Sequence, residues 1–336
     1  MIKIEKNFSS ALKNWRFIDL FSGIGAFNLA LESFGAKRVF SCDIDRNANK
    51  IYYDNFRDIP SGDIKKIQAK DIPDHDILCA GFPCQSFSIS GKMKGFEDPR
   101  GVLFFDIARI ADEKKTKILI LENVKHLARL NNGKVLKDII QILENIGYQV
   151  FFKILNSAFF GLPQKRERIF FVCVRNNYKK ISKFDFPDRA AKFRILKDIL
   201  ENRKDLDNYI IQRKDIFLFK DKIEQLTLFK KKYLRPIKVG IINKGGQGER
   251  IYHPSGTAIT LSSQGGGAAS KTGAYYVDGL VRKLTPRECA RLMGFPDDFK
   301  LDVSDNIAYK LIGNSAPVDV IQYIAIEIIK QIIDNN

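Results

Sequence analysis

The chain has 336 residues, 45% of them hydrophobic, and its 56 Lys and Arg against 39 Asp and Glu give a formal net charge of +17. That length buries one large core or two unequal ones, and the charge sets the chain apart from a neutral metabolic enzyme and points to a polyanion, nucleic acid first. Five dispersed cysteines (Cys42, Cys79, Cys84, Cys173, Cys289) and three histidines (His75, His126, His253) lack metal-ligand spacing and a disulfide framework, and no stretch approaches a membrane span, so a metal-free cytoplasmic protein is expected.

Met1 to Trp15 is polar and charged, without an apolar signal segment. Arg16 to Phe21 reads as a strand and ends at the turn Ser22-Gly23-Ile24-Gly25. A helical pattern follows, with Phe27, Leu31 and Phe34 on one face, closed by Gly35. Further strands are predicted at Arg38 to Cys42, Ile77 to Ala80, Ile118 to Glu122, Phe151 to Leu155 and Ile169 to Val174. Helical patterns lie between them, notably Leu103 to Lys114 and Val135 to Ile146. Strands alternating with helices imply an α/β fold with a doubly wound, mostly parallel sheet. Such sheets bind ligands at the carboxyl ends of their strands. The glycine turn, Asp43, Cys84 and Glu122 all follow a predicted strand, so they should share one rim.

From Arg189 to about Val281 the chain is Lys-rich and less regular, with glycine clusters at 245–248 and 265–267. This stretch predicts a second, smaller domain of short strands and loops. The boundaries expected are 1–203 plus 314–336 for the large domain, 204–285 for the small one and 286–313 for a returning hinge. The apolar helix Val318 to Ile333 should pack on the large domain.

Phe21-Ser22-Gly23-Ile24-Gly25 is a nucleotide-type turn, in which glycine lets backbone approach a ligand. Asn28 stands where a dinucleotide fingerprint has its third glycine, which favours a smaller adenosyl ligand over a pyrophosphate. Asp43, about twenty residues on, is placed to accept from ribose hydroxyls. Asp63, in Ser61-Gly62-Asp63-Ile64, is placed to bind an adenine amino group. Taken alone, the turn could equally be only a tight turn.

Most isolated cysteines are buried small hydrophobes, and Cys42, Cys79 and Cys173 fit that. Cys84 differs, lying between Pro83 and the polar run Gln85-Ser86-Phe87-Ser88. A thiol in a basic, loop-borne site can act as a nucleophile. Glu122 ends an apolar strand, where desolvation would favour its protonated form. Such a carboxyl can donate to a ring nitrogen and open the ring to attack. Arg166 and Arg168 read as alternate residues of one strand face, suited to anion contact or to orienting Glu122.

The set FSGIGAF, FPCQSFS, ENV, QKRER, RECARLMGFP and GNS resembles the carbon-5 cytosine DNA methyltransferases, in the family's order from Arg16 to Ile329. The resemblance implies a two-domain clamp on double-stranded DNA with S-adenosylmethionine in the large domain. By the resemblance, Phe21, Gly23, Gly25, Asp43, Ile44, Asp63, Ile64, Pro83, Asn314 and Ser315 hold that cofactor. Cys84 would attack carbon 6 of an extruded cytosine, Glu122 would contact ring nitrogen 3, and Arg166 and Arg168 would support the base and its phosphate. Gln247 would fill the vacated space with Ser90, and Arg250 would read a guanine. Thr260 and Gly265, Gly266 and Gly267 would touch DNA nearby.

The similarity is strongest to a restriction-modification member, which implies the target GCGC with its first cytosine modified. It also implies a cognate endonuclease acting on the same site without a stable complex, and a monomer, nucleoid-associated when bound. Asp43, Ile44 and Gln264 stand where that relative has Glu, Trp and Tyr, and Lys220 to Lys238 is more basic and slightly longer. A transfer-RNA cytosine methylase would lack GGQGER with its glycine-rich partner loop. A repressor that kept the fold without activity would not need Cys84, Glu122, Arg166 and Arg168.

Overall fold

The computed structural model describes residues 2, 4–5, 8–82, 103–190, 193–202, 205–229, 231–246, 248–263 and 267–334. The chain divides into two compact units, each assembled from separated stretches. The first comprises Lys3–Leu155, Glu167–Pro187 and Ile321–Asn336; the second comprises Met1–Ile2, Asn156–Arg166 and Asp188–Val320.

Six strands build the first unit: β1 (Arg16–Leu20), β2 (Lys37–Cys42), β3 (Ile77–Gly81), β4 (Ile118–Val124), β5 (Tyr148–Asn156) and β6 (Glu167–Arg175). Their order is β2-β1-β3-β4-β6-β5. The first four are parallel, and β6 runs antiparallel to β4. Central strands covered on both faces need apolar residues throughout, which accounts for the runs at β3 and β4. The covering helices are α1 (Ala26–Glu32), α2 (Arg46–Phe56), α3 (Leu103–Glu113) and α4 (Lys134–Asn145). In α4 the buried residues are Val135, Ile139 and Leu143, one stripe at helical spacing. They join Leu119, Leu121 and Phe171 of the sheet in one core.

The second unit carries a five-stranded sheet in the order β11-β10-β9-β8-β7. Its strands are β7 (Ile216–Leu218), β8 (Ile237–Ile242), β9 (Arg250–His253), β10 (Ala274–Val277) and β11 (Leu280–Arg282). A helix, α5 (Lys220–Phe229), was not expected there. Its only buried residue is Leu226, while Leu228 and Phe229 are each 77% exposed, so no apolar stripe announces it.

Residues 286–313, read from sequence as a hinge, lie with 204–285 in this unit. They form α6 (Pro286–Leu292) and α7 (Asp305–Asn314). Thr285 and Glu288 cap α6 reciprocally. Glu288 also forms a two-pronged ion pair with Arg282, at 2.7 and 2.8 Å, and Tyr309 donates to the Leu284 carbonyl at 2.6 Å. The Arg282 and Glu288 side chains are only 3% and 0% exposed. Removing one charge of such a pair strands the other. Arg282→Met should therefore cost about 3–5 kcal/mol in denaturant unfolding, and Arg282→Met with Glu288→Gln, which still accepts the Thr285 N–H, should recover part of it. A single variant as stable as the parent would show that the pair contributes nothing.

A last helix, α8 (Val318–Ile328), runs into a π turn at Ile329–Ile333. Its later residues dock in the first unit. Gln322 donates to Ser33 at 2.9 Å, Lys179 to the Ile332 carbonyl at 2.7 Å, and Gln331 to the Asp185 carbonyl at 2.8 Å.

Candidate active site

Phe21, just past β1, has φ +59°. A left-handed backbone at a bulky residue is strained, and such strain clusters at ligand sites. Gly23 has φ +53°, and a Cβ built on it would meet nothing within 4 Å, so the turn leaves open room. At Gly25 a Cβ would fall 2.2 Å from the Phe56 ring; glycine there lets α2 close on the turn. The Gly23 N–H donates to Asp43 Oδ2 at 2.8 Å, and the Asp45 N–H to Asp43 Oδ1 at 2.8 Å. One carboxylate thus ties the β1 and β2 turns together. Burial pushes the Asp43 pKa up, and the N–H donors of Asp45 and Gly23 draw it back. The Ile44 N–H also bonds this carboxylate, which leaves part of its acceptor capacity for a hydroxyl donor.

β2 is extended by a bridge between Cys42 and Ser61, with the Asp43 N–H on the Ser61 carbonyl at 2.9 Å. Asp63 follows and caps the next turn through the Lys65 N–H at 3.1 Å. Ile64, predicted to line the pocket, has its side chain in the core. Ile44 is 74% exposed.

Beyond β3 the described chain ends at Phe82; Pro83, Cys84 and Ser90 lie outside the described residues. Phe82 is held from β4, because the Asn123 amide donates to its carbonyl at 2.9 Å and accepts the Val124 N–H at 2.8 Å. Asn123 is 2% exposed. It stood in the ENV triplet without an assigned role. A buried amide at a strand end, beside a carboxylate, was the signal.

Glu122 faces Phe170 across the β4–β6 pair, and Arg168 faces Val124. The two are therefore diagonal neighbours on one face. Arg168 Nε lies 3.1 Å from Glu122 Oε1, with side chains 13% and 9% exposed. Burial pushes the Arg168 guanidinium down, and the Glu122 carboxylate pulls it back up. Gly81 pairs with Glu122 across β3–β4, and a Cβ there would sit 3.6 Å from Glu122 Oε2.

The other four cysteines are buried. Burial pushes the Cys42 thiol up to about 12 and raises Cys79, Cys173 and Cys289 as well. None is a thiolate near neutral pH.

Arg166 and Arg168 do not alternate along one strand, because β6 begins at Glu167. The Arg166 guanidinium is held by backbone of the second unit. It donates to the carbonyls of Leu261 at 3.3 Å, Gly313 at 2.9 Å and Ser315 at 2.7 Å. Three backbone carbonyls thus accept from its two terminal nitrogens. Asn314 closes α7 and is exposed; Ser315 is half-buried.

Of the expected DNA-contacting residues in this unit, Gln247, Gly265 and Gly266 lie outside the described residues, as does Gln264. Arg250 opens β9 and is exposed. Gly267 has φ +92°. Thr260 hydrogen-bonds the Lys165 carbonyl through its hydroxyl. Glu249, given no role from sequence, organises the neighbouring turn by accepting the Gly246 N–H at 3.0 Å and the Asn243 amide at 3.1 Å. Within Lys220 to Lys238, Lys222, Tyr233, Arg235 and Lys238 line a cleft between α5 and β8. Among the described residues, no group of three or more His, Cys, Asp or Glu could hold a metal, and no helix is long and apolar enough to cross a membrane.

A model of the C-5 cytosine-specific DNA methylase family matches residues 15–330. The chain belongs to that family. This methylase is 50% identical over 317 residues to the Type II methyltransferase M.HhaI of Haemophilus parahaemolyticus, spanning 94% of this chain and 95% of that relative. It is 41% identical over 309 residues to the Type II methyltransferase M.NgoBI of Neisseria gonorrhoeae, spanning 92% and 91%. The crystal structure of the S. pombe Dnmt2 methyltransferase has the same fold, with a TM-score of 0.72 at 23% identity over 94% of this chain and 98% of that one. The methylase is a DNA cytosine-5-methyltransferase, and the α/β class expected from its strand–helix alternation is the class of its fold.

Proposed function

We propose that the methylase modifies the first cytosine of GCGC through a covalent bond between Cys84 and carbon 6 of a base extruded from duplex DNA. The observation that carries this reading is the Glu122–Arg168 pair at the end of β4, next to Asn123, which holds the carbonyl of Phe82 just before Pro83 and Cys84.

The open space at Gly23 and the remaining acceptor capacity of Asp43 fit an adenosyl ligand. Phe21, Gly23, Gly25, Asp43, Ile44, Asp63, Pro83, Asn314 and Ser315 would hold it, with Ile64 contributing backbone only. S-adenosylmethionine, when bound, supplies the methyl group, the product being S-adenosylhomocysteine.

The Cys84 thiolate bonds to carbon 6, and the electron pair of the 5,6 double bond moves to carbon 5. In its protonated form Glu122 donates to ring nitrogen 3 and stabilises that charge. Arg168 orients Glu122. Once carbon 5 carries its new substituent, loss of its proton to a base restores the double bond and expels the Cys84 thiolate. Stacking hides carbon 6, so the base must leave the helix at a cost of about a few kcal/mol. Gln247 with Ser90 would offset this by filling the gap. Arg250 would read a guanine edge, while Thr260 and Gly265 to Gly267 touch the flanking DNA.

The 50% identity to a Type II methyltransferase supports a place beside a restriction endonuclease that cuts the same site and forms no stable complex. A cytoplasmic monomer, on the nucleoid when bound, suits that role. Bisulfite sequencing of a plasmid from an expressing host should show 5-methylcytosine at the first cytosine of GCGC. Methylation confined to another motif would refute the target.

A further inference from the structure

We propose that Arg166 is a positioning residue, which locks the stretch Leu261–Ser263 to the residues around Asn314 and Ser315. The inference rests on the reading above, in which the residues flanking the first stretch meet DNA and the second holds the cofactor.

A guanidinium offers five donors in a planar fork and no acceptor. At Arg166 the fork is 1% exposed and reaches two stretches about fifty residues apart. One stretch supplies the Leu261 carbonyl, three residues before Gln264. The other supplies Gly313 and Ser315, the residues flanking Asn314.

Two further contacts close the same junction. Gln164 accepts the Leu261 N–H at 3.1 Å and donates to the Leu292 carbonyl at 3.3 Å. Leu261 is therefore pinned at its N–H by Gln164 and at its carbonyl by Arg166, two residues apart. From the other side, Gly313 packs directly on the next peptide, where an added Cβ would fall 2.9 Å from the Ser262 carbonyl carbon and 3.0 Å from the Ser263 nitrogen.

The test uses full-length Arg166→Gln, Arg166→Lys and Gly313→Ala, each checked by circular dichroism. Affinity for S-adenosylhomocysteine is measured by calorimetry without DNA, and affinity for a GCGC duplex across a salt series. Arg166→Gln and Gly313→Ala should each weaken S-adenosylhomocysteine binding by about tenfold or more, with Arg166→Lys recovering part of it. The slope of log affinity against log salt should match that of the parent. Unchanged cofactor affinity with a salt slope reduced by about 0.9 would overturn the proposal and return Arg166 to a phosphate. Unchanged values for both would equally overturn it. Should Arg166→Gln not fold, Gly313→Ala decides. A parent protein that fails to bind S-adenosylhomocysteine would instead refute the underlying reading.

Discussion

Cys84→Ala should reduce methyl transfer by about a million-fold, the scale on which removing a covalent nucleophile acts, while DNA binding persists or tightens. The four remaining cysteines are buried with raised pKa values, so none can take over. A duplex carrying 5-fluorocytosine at the target exposes the step directly. Fluorine at carbon 5 does not leave as a proton does, so the elimination that frees the sulfur stalls. The parent should then remain bonded to DNA through denaturing electrophoresis, and Cys84→Ala should give no such band. An adduct formed by the alanine variant would place the nucleophile elsewhere and end the mechanism.

Glu122→Gln should separate chemistry from stability. Glutamine keeps the shape of Glu122 but leaves the Arg168 guanidinium, 13% exposed, without its carboxylate. The rate under saturating substrates should fall by about 10²–10⁴, the range for a lost general acid. Unfolding free energy should fall by about 3–5 kcal/mol, because a buried cation is stranded. Adding Arg168→Met to Glu122→Gln removes the stranded charge, so stability should recover while the rate stays low. If the double variant regained both, Glu122 would act only as a counter-ion. A single variant retaining nearly full rate would remove Glu122 from the reaction altogether.

What could be read in the sequence tracks what is encoded locally. The strands at 16–20, 77–81 and 118–124 are apolar runs between turn formers, and that pattern is a property of consecutive residues. Strand direction is not. The run at 169–174 gives no sign that β6 returns antiparallel to β4, yet that reversal is what sets Arg168 diagonally beside Glu122. Likewise Arg166 and Arg168 look equivalent in QKRER, and only the point where β6 begins separates their partners. Asn123 acts through the backbone of another loop and Glu249 through that of its own turn, contacts that leave no periodic trace. The place of Asp43 beside the glycine turn was legible because its distance from that turn reflects the length of one strand–helix–strand unit.

Both units are completed out of order. The chain leaves the first at 155, returns for 167–187, and closes it only with 321–336, whose Gln322 and Gln331 bond to Ser33 and Asp185. Synthesis proceeds at about 5–20 residues per second, so an emerging polypeptide spends much of its time on the ribosome with the docking face for this helix uncovered. The enzyme's competence to mark a genome thereby waits on the chain's return to a unit it has already left twice.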